Sequence, residues 1–252
     1  MSTLRARCPD CRTLTAVAVD DGYQCHSCGR EFAAGLVRVR SAWGDGGEAM
    51  REGAMLSLPW PEAATVEAET LEEQSRAVAA ALPVRPLVLG GCCCAHVGAI
   101  RALARRHGRL AVVWLDAHGD LNTPASSPSG NAWGMPLRMA IDEGSVRAGD
   151  VALVGARDLD PPELEYVRAV GIDGDAGRAI DGAAAVYVAL DVDVVRPGEL
   201  AAFMPVAGGP TLAEVEELLR GLPRVDGLGL TGLVGDVRNV EPLTRLAVAA
   251  GL

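Results

Sequence analysis

The feature that most constrains this chain is a six-residue apolar run, Leu110–Leu115, that passes without a break into Asp116-Ala117-His118-Gly119-Asp120. A short, wholly apolar run with polar borders reads as a buried strand, and strands buried on both faces belong to parallel sheets covered by helices. In such sheets ligands collect outside the carboxyl ends of the strands. Asp116, His118 and Asp120 therefore stand where sites form, and alternation along an extended chain would put all three on one face. Oxygen donors with one imidazole suit a divalent cation such as Mn²⁺ or Zn²⁺. Taken alone, the motif reads equally as a polar loop whose Asp and His cap the next element.

A second apolar run, residues 184–190, ends in Asp191-Val192-Asp193. Five ligands on two strand ends, four of them anionic, exceed the needs of one catalytic ion and suit two divalent cations sharing carboxylates. A pair of that kind acidifies a water to a near-neutral pKa; without it the carboxylates would repel one another. Further strands are expected at 36–40, 85–89, 151–155 and near 228–230. Between them lie helices, one opened by the capping box Thr70-Leu71-Glu72-Glu73 and running to about Leu82, others over about 95–107, 162–170 and 211–222 and from about Glu241. Strands and helices in turn predict an α/β fold, a doubly wound and mostly parallel sheet. Residues 35–60 after the first strand read as linker and loops, and 122–136 as a long loop of functional character.

The first 33 residues are a separate unit. Cys8-Pro9-Asp10-Cys11 and Cys25-His26-Ser27-Cys28 are two Cys-x-x-Cys pairs able to give one ion tetrahedral Cys₄ coordination, the pattern of a zinc ribbon. A strand over 13–19, a turn at Asp20-Asp21-Gly22 and a second strand at Tyr23-Gln24 fit between them. So short a segment needs the metal for its folding energy. The expected domains are 1–33, a zinc ribbon with one structural zinc, and 34–252, the α/β domain.

A net charge of -10, with 33 acidic against 23 basic residues, argues against nucleic acid or an anionic membrane as partner. No apolar stretch is long enough to span a bilayer, the N-terminus lacks a signal-peptide pattern, and seven cysteines in two tight groups do not resemble a disulfide framework. The expected location is cytoplasmic.

In order along the chain, Asp116-Ala117-His118-Gly119-Asp120 with Asn122-Thr123-Pro124, then Ser129-Gly130-Asn131-Ala132-Trp133-Gly134-Met135-Pro136, Arg157-Asp158-Leu159-Asp160-Pro161 and Asp191-Val192-Asp193 resemble the successive motifs of the arginase and agmatinase (ureohydrolase) family. The resemblance extends over about residues 87–252. It implies the three-layer αβα fold of arginases and a metal-dependent hydrolase of linear amidines, acting on a small guanidino substrate and releasing urea or a close analogue. It also implies two divalent metals, manganese first, with zinc, cobalt or iron as alternatives, and a homo-oligomer, trimer or hexamer. By the same analogy Asp116 and Asp191 bridge the metals, His118 and Asp193 complete one site, and Asp120 helps the other while hydrogen-bonding the attacking hydroxide. Asn122, Ser129 and Asn131 match positions that touch the amino-acid end of the substrate, and Asp160 one that faces its α-amino group.

Departures from the family pattern bear on substrate. Where the family reads Gly-Gly-Asp-His-Ser the chain has Gly90-Gly91-Cys92-Cys93-Cys94, which puts Cys93 at the sixth ligand, as in the branch that hydrolyses N-hydroxyarginine; His96, three residues on, is the alternative ligand. Trp133, expected against the substrate, replaces a loop histidine that shuttles protons. A leaving group of lower pKa, such as a hydroxyguanidine's, needs less help of that kind. Asp236 falls where a catalytic Glu grips the guanidinium, shorter by one bond of ~1.5 Å. Arg196 replaces an Asp, and Met204 a small polar contact. Two functions fit: an amidinohydrolase for a hydroxyguanidine or another guanidino compound that is not arginine, or a catalytically weak or inactive metal-binding scaffold or regulatory protein that recruits a partner through the ribbon.

Overall fold

The structure is a computed structural model that describes residues 5, 6, 8, 11, 13, 15–19, 22–32 and 34–252. Near the N-terminus, β1 (Arg5–Ala6), β2 (Ala16–Val19), β3 (Gly22–Cys25) and β4 (Glu31–Phe32) form an antiparallel four-stranded sheet in that order. The expected strand at 13–19 is shorter, and the expected turn at Asp20-Asp21 lies outside the described residues.

The second sheet contains β5 (Ala34–Val39), β6 (Glu62–Val66), β7 (Arg85–Gly90), β8 (Leu110–Leu115), β9 (Val151–Val154), β10 (Ala185–Asp191) and β11 (Gly227–Thr231). Its order is β6-β5-β7-β11-β10-β8-β9, and every neighbouring pair is parallel. All carboxyl ends therefore lie along one edge. The helices are α1 (Glu48–Gly53), α2 (Leu71–Ala81), α3 (Ala95–His107), α4 (Pro136–Asp142), α5 (Pro161–Val170), α6 (Ala176–Ile180), α7 (Leu212–Gly221) and α8 (Val240–Ala249).

Alternate residues of the strands feed two different cores. Ala111, Val113 and Leu115 pack with Val215 and Leu219 of α7 and Leu243 and Leu246 of α8, whereas Leu110, Val112 and Trp114 pack with Val78 of α2, Ile100 and Leu103 of α3 and Leu137 of α4. The sheet is thus sandwiched between helix layers, the doubly wound α/β arrangement expected from the sequence. β8 and β10 are buried along their whole length because they are central and covered on both faces. No helix among the described residues is long and apolar enough to cross a membrane.

The region read as linker and loops is structured. β5 begins at Ala34, α1 occupies 48–53, and β6 follows at 62–66 as an edge strand. Periodicity misses both: α1 is under two turns, and of β6 only Val66 is buried. The long loop after β8 also contains a 3₁₀ turn at 132–134 before α4 starts on Pro136.

Leu228 of β11 pairs with Leu87 and Val188 and is fully buried with them. Leu228→Ala is expected to lower stability by about 2–5 kcal/mol, read as a lower urea midpoint at unchanged m; a loss under about 1 kcal/mol would contradict this account of the core.

Candidate metal centre

The four central strands β7, β11, β10 and β8 end side by side, and the chemistry sits on those ends. Asp191 is the last residue of β10, paired with Thr231 of β11, and Leu190 pairs with Leu115, so the Asp191 and Asp116 backbones leave the sheet as neighbours. Gly90 and Gly91 close the turn from β7 into α3: a Cβ on Gly90 would press on Ala95 and Thr231, and one on Gly91 on the Ser41 carbonyl. That turn places Cys93 over the same edge. Its Sγ lies 2.9 Å from Asp191 Oδ2, 3.3 Å from Thr231 Oγ1 and 3.8 Å from Asp116 Oδ2.

Backbone amides hold the carboxylates. His118 N donates to Asp116 Oδ1 (2.8 Å), Asp193 N to Asp191 Oδ1 (3.0 Å) and Ala117 N to Asp193 Oδ1 (3.0 Å), while Trp114 Nε1 donates to Asp116 Oδ2 (3.2 Å). His118 Nδ1 sits 3.0 Å from Asp193 Oδ2 and 3.4 Å from Asp116 Oδ1. Asp116, His118 and Asp120 do not share one face by strand alternation, as the sequence implied. The strand ends at Leu115, and Asp120 has φ of +52°, the one non-glycine positive φ among the described residues. That left-handed turn, costly for an L residue, folds the Asp120 carboxylate back toward Cys93 and Asp116. Two groups of potential ligands result, Cys93/Asp116/Asp120 and Asp116/His118/Asp193, each with its donor atoms within 4.8 Å of one another, and Asp116 belongs to both.

Burial dominates the electrostatics. It pushes Asp191 up to about 7, with Asp193 adding to it, and Asp193 up to about 6, with Asp116 adding to it. Burial and the neighbouring carboxylates also raise Asp116, and raise Asp120 and the Cys93 thiol far more. For His118 burial pulls downward, but Asp116 and Asp193 prevail and lift it to about 11. Asp120 Oδ2 is buried with no hydrogen-bond partner, an acceptor open to a cation. His96 does not join the ligand groups. Its Nδ1 is 2.9 Å from the Tyr187 hydroxyl, its Nε2 3.1 Å from Thr231 Oγ1, and burial lowers it to about 3.

The cluster forms the floor of a cavity of about 240 Å³, also lined by Asn122, Ser129, Trp133 and Asp160 from the sequence reading. Two expected site residues are elsewhere. Asp236 is absent from the cavity wall; it caps a 3₁₀ turn and pairs with Arg238 two residues on, a local partner that draws the carboxylate away. Asn131 is likewise off the wall, because its Oδ1 accepts from Asp45 N at 2.9 Å. Arg196 faces Glu199 and Glu214, whereas Met204 lines the mouth.

Sequence reasoning missed Glu163, Thr231 and Phe203. Glu163 is buried and accepts from Leu121 N (2.8 Å) and Asp160 N (2.9 Å), which ties the 116–121 loop to α5; Gly119 leaves it room. The spacing Asp160-Pro161-Pro162-Glu163, a capping-box pattern, was its available signal. Thr231 and Phe203 carried none, since only the fold brings them to the edge.

In the N-terminal sheet Cys8, Cys11, Cys25 and Cys28 converge as a third group, with Cys8 and Cys28 sulfurs 3.5 Å apart and Cys11 and Cys25 likewise. The Thr15 hydroxyl, 3.4 Å away, is the main cause that lowers the Cys25 thiol to about 5. Four convergent thiols with no disulfide among them are the donor set of a small zinc module.

Comparison with known proteins agrees with this geometry. Residues 54–245 match the model of the arginase family. An arginase of Brevibacillus brevis is 36% identical over 197 residues, covering 65% of this chain and 66% of that protein. For an arginase of Staphylococcus aureus strain COL the figures are 36% over 145 residues, 45% and 47%, so the chain spans about half the length of that relative. The crystal structure of Bacillus caldovelox arginase superposes with a TM-score of 0.71 at 24% identity, covering 86% of this chain and 97% of the other, a likeness of fold. With the motifs in order, the sheet in place and the family model matched over most of the chain, the protein belongs to the arginase family.

Proposed function

We propose that the α/β domain, residues 34–252, is a binuclear-metal amidinohydrolase that cleaves a guanidino C–N bond and releases urea. The observation that carries the reading is Asp116, shared by the two ligand groups. The residues fit two divalent ions: four buried carboxylates and a buried thiol converge with a half-buried imidazole, and Asp120 presents an orphaned oxygen. Cys93, Asp116, His118, Asp120, Asp191 and Asp193 would hold the two ions, with Asp116 common to both ligand groups. Manganese is the first choice; the sulfur of Cys93 biases its site toward zinc, cobalt or iron. When bound, such a pair supplies a water acidified to near-neutral pKa. Cys8, Cys11, Cys25 and Cys28 would hold one structural zinc in the ribbon, residues 1–33, and the assembly would be a homo-oligomer, as a trimer or hexamer.

The chemistry asked of the chain is R–NH–C(NH₂)₂⁺ + H₂O → R–NH₃⁺ + urea. Asp158 and Asp160 on the cavity wall attract the cationic guanidinium. Asp120, whose Oδ2 is buried with no hydrogen-bond partner, would as the carboxylate take a proton from the attacking water and return it to the leaving amine, the task that Trp133 cannot perform. Glu163 holds the loop that carries Asp116 to Asp120 in register with α5.

Purified chain loaded with Mn²⁺, Zn²⁺ or Co²⁺ is expected to release urea from at least one compound of a guanidino panel, and Asp120→Asn to lower kcat by about 10²-fold or more. Silence from the whole panel with metal bound would reject the reading. Metal analysis should give three ions per chain, falling to two when Cys8 and Cys11 are replaced by Ser.

A second expectation concerns pH. In metal-free chain Asp191 and Asp193 titrate near 7 and 6 against an ordinary 3.8, so the folded form holds protons that the unfolded form has released. Their contribution is complete below about pH 4 and lost as pH rises through 6 to 7; His118, near 11 against 6.5, extends the loss to higher pH. The melting temperature of metal-free chain should fall over that interval, and saturating Mn²⁺ should flatten the profile. A rise over the same interval would contradict the account.

A further inference from the structure

From the walls of the cavity we infer that the substrate is a guanidine carrying an apolar, alkyl or aryl substituent with no carboxylate. The inference rests on the amidinohydrolase reading above and narrows it. Three observations support it.

The polar groups positioned for a charged tail are turned to the protein. Asn122 Nδ2 donates to Asp160 Oδ2 (2.8 Å), and its Oδ1 accepts from Ser126 Oγ (2.9 Å). Asn131 is bound to the 45 backbone, and Ser129 Oγ accepts from Asn131 N (3.2 Å) while lying 3.4 Å from Ser127 Oγ. These bonds shape the loop and leave for a ligand one hydroxyl donor of the serine pair and the second N–H of the Asn122 amide.

Among the described residues no arginine lines the cavity, and the charged wall residues beyond the proposed metal ligands are Asp158, Asp160 and Glu163. The nearby cation, Arg157, is spent on carbonyls: its guanidinium donates to Gly155, Asp193, Val194, Val206 and Ala207. An anionic tail lying along that wall would therefore meet Asp158 and Asp160 with no cationic side chain of the described residues beside it.

The remaining wall is aromatic and thioether. Trp133 and Phe203 meet edge to face, centroids 5.9 Å apart at 76°, and Met50 and Met204 extend the surface. Trp133 is seated by design of the preceding segment: a Cβ on Gly44 would overlap its ring, and one on Gly47 would lie 3.1 Å from it. Phe203 is fixed by its amide, which donates to the Gly232 carbonyl (2.8 Å) at the end of β11. Two anchored rings facing a cation-attracting floor fit an apolar substituent, and methionine at the mouth adapts to its shape.

The test compares urea release by metal-loaded chain from benzylguanidine and butylguanidine with that from L-arginine and 4-guanidinobutyrate, and measures binding of each by calorimetry. The apolar compounds should show kcat/KM at least about tenfold higher. Phe203→Ala and Trp133→Ala should raise KM for benzylguanidine about tenfold and leave KM for methylguanidine, which has almost no tail, within about twofold; Trp133→Phe should restore most of the loss. Equal or better use of the carboxylate-bearing compounds overturns the inference while the amidinohydrolase reading stands. So does an equal rise in KM for methylguanidine. If nothing releases urea the amidinohydrolase reading falls, and calorimetry still decides between apolar and anionic tails.

Discussion

The arrangement at the carboxyl edge depends on keeping four carboxylates and a thiol together out of water. Two like charges about 4 Å apart repel by roughly 4 kcal/mol at an effective dielectric near 20, and several such pairs would rival the whole stability margin of about 5–15 kcal/mol. The cluster therefore persists only with protons or cations between its members. The direction of every shift agrees: each acid is raised, and the one imidazole is raised between two of them. The amides of Ala117, His118 and Asp193 hold the carboxylates of Asp193, Asp116 and Asp191 in place from the backbone. Ions that bind this fold and not the unfolded chain stabilise it by mass action.

Beneath the cluster lies a second, neutral layer. Thr231 touches Cys93 and Asp191, both at 3.3 Å, and is itself held by His96, whose other nitrogen meets Tyr187. Burial keeps that imidazole uncharged near neutral pH, so the network orients the sulfur without adding charge to a crowded site. One ligand group thus offers oxygen and sulfur and the other oxygen and nitrogen. Metal sites tuned by such outer partners differ in affinity even when they share a carboxylate, and the two halves of this centre are chemically unequal for that reason.

Much of this was legible because the chemistry is carried by short stretches at strand ends. The Leu110–Leu115 run with its Asp-x-His-x-Asp border, and the run into Asp191-Val192-Asp193, declare both burial and ligand type locally. What was illegible depends on distant parts of the chain. Residues 44–47 read as part of a Gly-rich linker, yet Gly44 and Gly47 leave room for Trp133, a residue nearly ninety positions away. Phe203 reaches the cavity only because its amide pairs with the end of β11. Asp236 shows the opposite failure: a carboxylate at the right distance along the chain was read as a site residue, and Arg238 beside it, the simpler partner, takes it out of the cavity. Asn131 fails in the same way through the 45 amide.

The position of the four-cysteine sheet narrows what that module does. Arg30 donates to the Leu252 carbonyl, and Arg85, the first residue of β7, donates to that of Gly251. The module and the end of α8 therefore meet at the amino ends of the strands, while Cys93, Asp116 and Asp191 lie at the carboxyl ends. Cys8, Ala16 and Cys25 belong to the same apolar cluster as Leu246 and Leu252. In α/β folds the carboxyl edge carries ligands, so the ribbon stands on the opposite side of the sheet from the chemistry. Its apolar contact joins the domain core rather than the cavity. None of its four cysteines is among the residues that line the cavity.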